Sequence, residues 1–104
     1  MIVTRHAGER IRKRCGLPKK ATLRSAAAAL RNGIGYSECT GRLKKYMEWL
    51  SLSHKRCGKT RIYNNHIYLF TVMDCLITVL PLPNEYRDAA NKALKRKRHI
   101  ERKN

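Results

Sequence analysis

A chain of 104 residues is long enough for one domain and too short for two, and 42% apolar residues suffice for a single core. Lys and Arg number 24 against 7 Asp and Glu, a formal charge of +17, which is far beyond what solubility needs and calls for a polyanionic partner. No run of about 18 apolar residues occurs and the opening stretch carries Arg5 and Arg10, so neither a membrane span nor a signal peptide is predicted, and a cytoplasmic protein is expected.

In chain order, Thr4 is a suitable N-cap for a helix from Arg5 to Gly16, on which Ala7, Ile11 and Cys15 form a narrow inward ridge beside a second ridge of His6, Arg10 and Arg14. Pro18 opens a second helix that is rich in alanine and stops at Gly33. Residues 33–39 read as a connecting loop. The stretch from Thr40 then places Leu43, Met47 and Leu50 at helical spacing, with Tyr46 and Trp49 alongside; its last residues, Leu50 to His54, also alternate as a strand would.

Beyond a polar stretch around Gly58, β-branched and aromatic residues dominate. Asn64-Asn65 and Met73-Asp74 punctuate them at hairpin spacing, which predicts strands at 60–64, 66–72 and 75–80. Pro81 and Pro83 end the sheet, and Asn84 is a suitable cap for a last helix with Tyr86, Ala90, Ala93 and Leu94 on one face. From Lys95 onward the sequence is almost wholly basic and has nothing to bury, so it reads as a frayed tail or a helix extension. The expected fold class is α+β. Its N-terminal helices pack on one face of a small antiparallel β-meander, with a basic C-terminal helix after it, and the domain spans residues 1–94 with a basic extension at 95–104.

Cys15, Cys39, Cys57 and Cys75 stand singly and are read as reduced and structural. His54 and Cys57 share a metal-like spacing, but Cys75 opens an apolar strand and no second ligand pair follows, so neither a metal nor another cofactor is expected. No nucleotide-binding glycine loop, nucleophile elbow or close carboxylate pair is present.

Cleavage of RNA without metal needs a group to move the 2′-hydroxyl proton and cations to hold the phosphate. His6 titrates near neutrality by default, and Arg10 and Arg14 follow it at one-turn intervals, about 6 Å apart along a helix. A solvated basic face satisfies the same pattern. On the strands Arg61 and Tyr63 share a face, as do Tyr68 and Phe70, and tyrosines beside arginines on a sheet can stack bases and bind phosphates. Equally, one face of any sheet must be core, and Tyr and Phe are good strand formers. Thr78 is placed on the face of Leu76 and Leu80 by simple alternation.

The opening His6-Ala7-x-x-Arg10-x-x-x-Arg14-x-Gly16, together with IYLF and LITVLPLP, resembles small bacterial and phage proteins of unknown function placed near RelE-like toxins in the barnase/EndoU/colicin/RelE-type ribonuclease superfamily. The resemblance implies helices against a curved antiparallel sheet and metal-free RNA cleavage, with His6, Arg10, Arg61 and Tyr63 as catalytic candidates. Arg5, Arg14, Lys44, Lys45, Tyr68, Lys95, Arg96, Lys97 and Arg98 are the candidates for nucleic-acid contacts. The chain departs from the pattern in the helix carrying Tyr46 and Trp49 and in its basic extension. Three readings stay open: a toxin-type ribonuclease, a non-catalytic RNA- or DNA-binding protein, and a module whose basic tail docks on an acidic antitoxin or host protein.

Overall fold

The computed structural model describes residues 2–3 and 19–103, with side chains described over 24–100. The expected helix from Arg5 to Gly16 lies outside the described residues, and with it Arg5, His6, Arg10 and Arg14. The described elements run β1 (Ile2–Val3), α1 (Lys19–Asn32), β2 (Ile34–Gly35), a 3-10 turn (Tyr36–Glu38), α2 (Gly41–Ser53), β3 (Lys59–Tyr63), β4 (His66–Phe70), β5 (Cys75–Pro81), a second 3-10 turn (Asn84–Tyr86) and α3 (Arg87–Lys103). The protein is a mixed helix-and-strand domain of the α+β class.

The sheet has the order β1-β5-β4-β3-β2. Strands β2 to β5 pair antiparallel, and only the two-residue β1 runs parallel, against β5. Residues 33–39 are therefore more than a loop: Ile34 and Gly35 pair with Ile62 and Arg61 as an edge strand. A strand of two residues, one of them a glycine, carries no readable alternation, which is why the pattern in the sequence misses it.

The β3–β4 hairpin closes as predicted through Asn64-Asn65, both in the left-handed region at φ 48° and 60°, the conformation that a two-residue turn demands and asparagine tolerates. The next turn is longer than predicted. Strand β4 stops at Phe70, and Thr71 closes the loop by bonding Cys75 through both backbone and side chain, with Asp74 at φ 64° and tied to Lys59 at 2.5 Å. Asn84 does not cap α3; it begins the 3-10 turn that precedes it. Helix α2 continues to Ser53, with no strand at its end, and α3 carries the basic run in helical form through Lys103.

Helices cover both faces of the sheet, where the sequence predicts one. Cross-strand pairing puts Lys59 opposite Phe70, Arg61 opposite Tyr68 and Tyr63 opposite His66, all on the face that meets α1. There Ala26 and Ala29 of α1 meet Tyr68, Phe70, Leu76 and Val79, and the small alanines let the helix lie close. The opposite face buries Ile34, Ile62, Ile67 and Leu69 beneath Leu43, Met47 and Leu50 of α2 and Ala90 and Ala93 of α3. With both faces covered, β4 is the central strand and four of its five residues are buried.

Strict alternation also fails once along β5. Leu69 pairs with Thr78 but Phe70 pairs with Leu76, so Ile77 is an extra, bulged residue. The bulge turns Leu76 toward α1 and leaves Thr78 on the other face with Leu69, which separates Thr78 from Leu76.

Gly33 joins α1 to β2 where the two backbones nearly touch: a methyl group there would meet the Ala29 carbonyl at 2.4 Å and the Ile62 carbonyl at 3.0 Å. Because both neighbours are backbone, Gly33→Ala is expected to destabilise the fold by about 1–3 kcal/mol, seen as a lower urea midpoint with an unchanged m-value.

Candidate functional site

Strand β2 covers only Arg61 and Ile62 on the outer edge of β3, so the edge stays open on either side of it. Two clefts result. The first, about 400 Å³, lies between the β3–β4 turn and α3 and is lined by Asn32, Tyr63, Asn64, Asn65, Asn91, Lys97 and Arg98 over a floor that includes Ile34, Ile62, Ala90 and Leu94. The second, about 410 Å³, is lined by Arg31, Tyr36, Glu38, Lys59, Thr60, Arg61 and Lys97 among others.

Lys97 stands between them. Its ammonium donates to the Gly33 carbonyl at 2.8 Å and to Glu38 Oε1 at 3.2 Å, and the same carboxylate oxygen accepts the Gly35 N–H at 2.8 Å. The side chains of Lys97 and Glu38 are only 17% and 33% exposed. One ammonium thus fastens α3 to the end of α1, to β2 and to the 3-10 turn. Lys97 is bound up in holding the fold, and is not a free phosphate ligand as its place in the basic run suggests.

Arg61 and Tyr63, neighbours on one strand face, line different clefts. The Arg61 guanidinium passes over Gly35, where a methyl group would sit 3.1 Å from Nη1, and donates from Nη1 to the Thr60 carbonyl at 2.8 Å. Tyr68 is 1% exposed, and its hydroxyl bonds Ser25 Oγ at 2.8 Å. Its ring is packed under α1 and offers no stacking surface, so this candidate belongs to the core.

Lys44 is half-buried and sits over the Tyr36 ring at 5.1 Å, a cation–π contact that partly commits its charge. Lys45 is exposed and borders an aromatic surface with Arg42, Tyr46, Trp49 and Tyr86. There Tyr46 meets Tyr86 and Trp49 edge to face at 4.6 and 6.1 Å. Burial foremost, then the neighbouring Tyr86 and Glu85, pushes the Tyr46 hydroxyl's pKa upward, so it stays protonated.

Lys95, Arg96 and Arg98 are exposed on α3, as are Arg87 and Lys92. Among the described residues the ion pairs are Arg42–Glu85, Lys59–Asp74 and Lys97–Glu38, which leaves these five cations of α3 outside any of them. No group of three or more His, Cys, Asp or Glu side chains placed to hold a metal occurs among the described residues, and no described helix is long and apolar enough to cross a membrane.

The sequence does not mark the asparagines of the first cleft as site residues. Asn64 and Asn65 register there only as turn formers, and Asn32 and Asn91 carry no signal of their own. Only the fold reveals that α3 passes the hairpin turn and the end of α1 closely enough to gather the four amides. Comparison with known proteins finds no matching family model, no matching curated protein and no matching solved structure.

Two measurements check this account. Lys97→Met is expected to cost about 1–3 kcal/mol in chemical denaturation by taking the cation from Glu38, which keeps only the Gly35 N–H, and the ammonium donor from the Gly33 carbonyl, whereas Lys95→Met should be close to neutral. Burial foremost, and Glu38 beside it, raises the Cys39 thiol to about 11, and its Sγ donates to the Gly35 carbonyl. Alkylation mapped by mass spectrometry at pH 8 is therefore expected to modify Cys57 and Cys75 before Cys39.

Proposed function

We propose that the protein binds RNA, with the outer face of α3 as the main phosphate-contacting surface. The carrying observation is that Lys92, Lys95, Arg96 and Arg98 are exposed on a single helix with no acidic residue between Ala89 and Ile100. A helix rises about 1.5 Å per residue, so these charges span little more than 9 Å and can follow consecutive phosphates of one strand. Each such contact releases condensed counterions, and the affinity it supplies is independent of sequence. The overall charge of +17 adds long-range attraction to the same partner.

RNA cleavage of the RelE type is a distinct proposal that rests on His6 and Arg10, outside the described residues. Support from the sheet is confined to Arg61, whose guanidinium lines the second cleft beside Lys59. The surface of α3 serves binding whether or not a strand is cut.

The test titrates a labelled single-stranded RNA with wild type and with a Lys95→Gln, Arg96→Gln variant over a range of salt. The expected slope of log K against log salt falls by roughly 0.7 for each phosphate contact removed, with folding unchanged. An equal slope in both proteins, or no binding at low salt, sinks the proposal. Resolving the same RNA on a denaturing gel with EDTA present tests cutting: products from wild type that His6→Ala abolishes support it, and intact RNA throughout rejects it.

A further inference from the structure

The first cleft does not share the character of the α3 surface beside it. Its lining holds four carboxamides, one phenol and two cations, with no carboxylate among the described residues that form it. The β3–β4 turn is held by its backbone: the Asn64 carbonyl accepts from His66 Nδ1 at 2.7 Å and the Asn65 carbonyl accepts the Leu82 N–H at 3.0 Å. The side-chain carboxamides of both exposed residues make no hydrogen bond among the described residues. Asn32 at the end of α1 and Asn91 on α3 are exposed across the cleft from them. Beneath lies an apolar floor of Ile34, Ile62, Ala90 and Leu94.

A carboxamide offers a donor and an acceptor side by side, which is the pattern needed to bond the edge of a nucleobase at two points. Four of them around an apolar floor suit a flat heteroaromatic group whose rim is polar and whose face is not. The volume falls within the roughly 300–1,000 Å³ of sites that take small ligands. Arg98 lies at the cleft and also on the basic helix, so a phosphate held by it would leave the attached base facing the amides. Lys97, already bonded to Gly33 and Glu38, sets the position of the wall instead of supplying a loose charge.

We infer that this cleft takes a single unstacked nucleobase of the bound strand and reads its hydrogen-bonding edge with Asn64, Asn65 and Asn91. This rests on the RNA-binding reading above and adds base selectivity to it. The ligand class is a nucleotide within single-stranded RNA, because in a duplex the base edge is paired and the ring is stacked.

The experiment measures fluorescence anisotropy of four labelled homopolymeric oligoribonucleotides, of A, C, G and U, with wild type and with an Asn65→Gly, Asn91→Ala variant. Glycine keeps the left-handed turn position, and alanine favours the helix, so the variant retains the fold. A melting temperature within a few degrees of wild type checks this directly. Wild type is expected to separate its best and worst oligomers by about tenfold, and the variant to reduce the spread to about twofold with its salt slope unchanged. Binding by wild type without any ranking, or a ranking that survives in the variant, overturns the base-reading cleft while leaving RNA binding in place. No binding of any oligomer at low salt overturns both.

Discussion

The bond set of Lys97 is the constraint on which the open edge of the sheet depends. A two-residue strand has too few ladder bonds to hold its own position. Here the Lys97 ammonium grips the carbonyl just before β2, and the Glu38 carboxylate, gripped by the same ammonium, holds the N–H of its second residue. Around these bonds the chain leaves α1, touches the sheet for one pair of residues and turns away into α2. The two clefts exist because the contact is so short, and they keep their shape because it is so firmly tied.

The covering of both sheet faces has a chemical consequence for the residues along β3. Odd positions face α1 and even positions face α2 and α3, so a side chain stays accessible only where a helix ends or the edge strand stops. Tyr68, in the centre, loses all access and becomes a packing residue with a satisfied hydroxyl. Arg61 keeps its access because the β2 residue opposite it is Gly35, over which the guanidinium passes, and Tyr63 because it lies just beyond the stretch that β2 covers. Thr60 and Thr78 flank Leu69 across the sheet, and their buried hydroxyls find no partner among the described residues. They are small enough to sit in a pleated row built mainly by apolar neighbours.

Much of the fold is legible in the sequence because it is written in local patterns. The alanine-rich helix ending at Gly33, the spacing of Leu43, Met47 and Leu50, and the Asn64-Asn65 turn each follow from a few consecutive residues. What stays hidden is non-local. Neither the edge strand at Ile34–Gly35 nor the bulge at Ile77 has a periodicity, since each exists only through its partner in the sheet. The site is hidden for the same reason: charge marks α3 as basic, yet nothing in its spacing reveals that Lys97 points inward to Glu38, 59 residues earlier in the chain. Asparagines from three segments far apart in sequence become one surface only after those segments have folded.

The left-handed geometry of Asn64 and Asn65 narrows the routes by which this protein can change over evolutionary time. Only asparagine, aspartate and glycine enter that backbone region at little cost. Glycine abolishes the amide, and aspartate would bring a negative charge beside Arg98 in a cleft otherwise free of acids. Variation in the chemistry of the cleft is therefore channelled to Asn32, Tyr63 and Asn91, which sit on a helix end, a strand and a helix flank that place no such demand on the side chain. The turn is the constrained half of the cleft by stereochemistry alone, and the opposite wall is where descendants of this sequence are free to diverge.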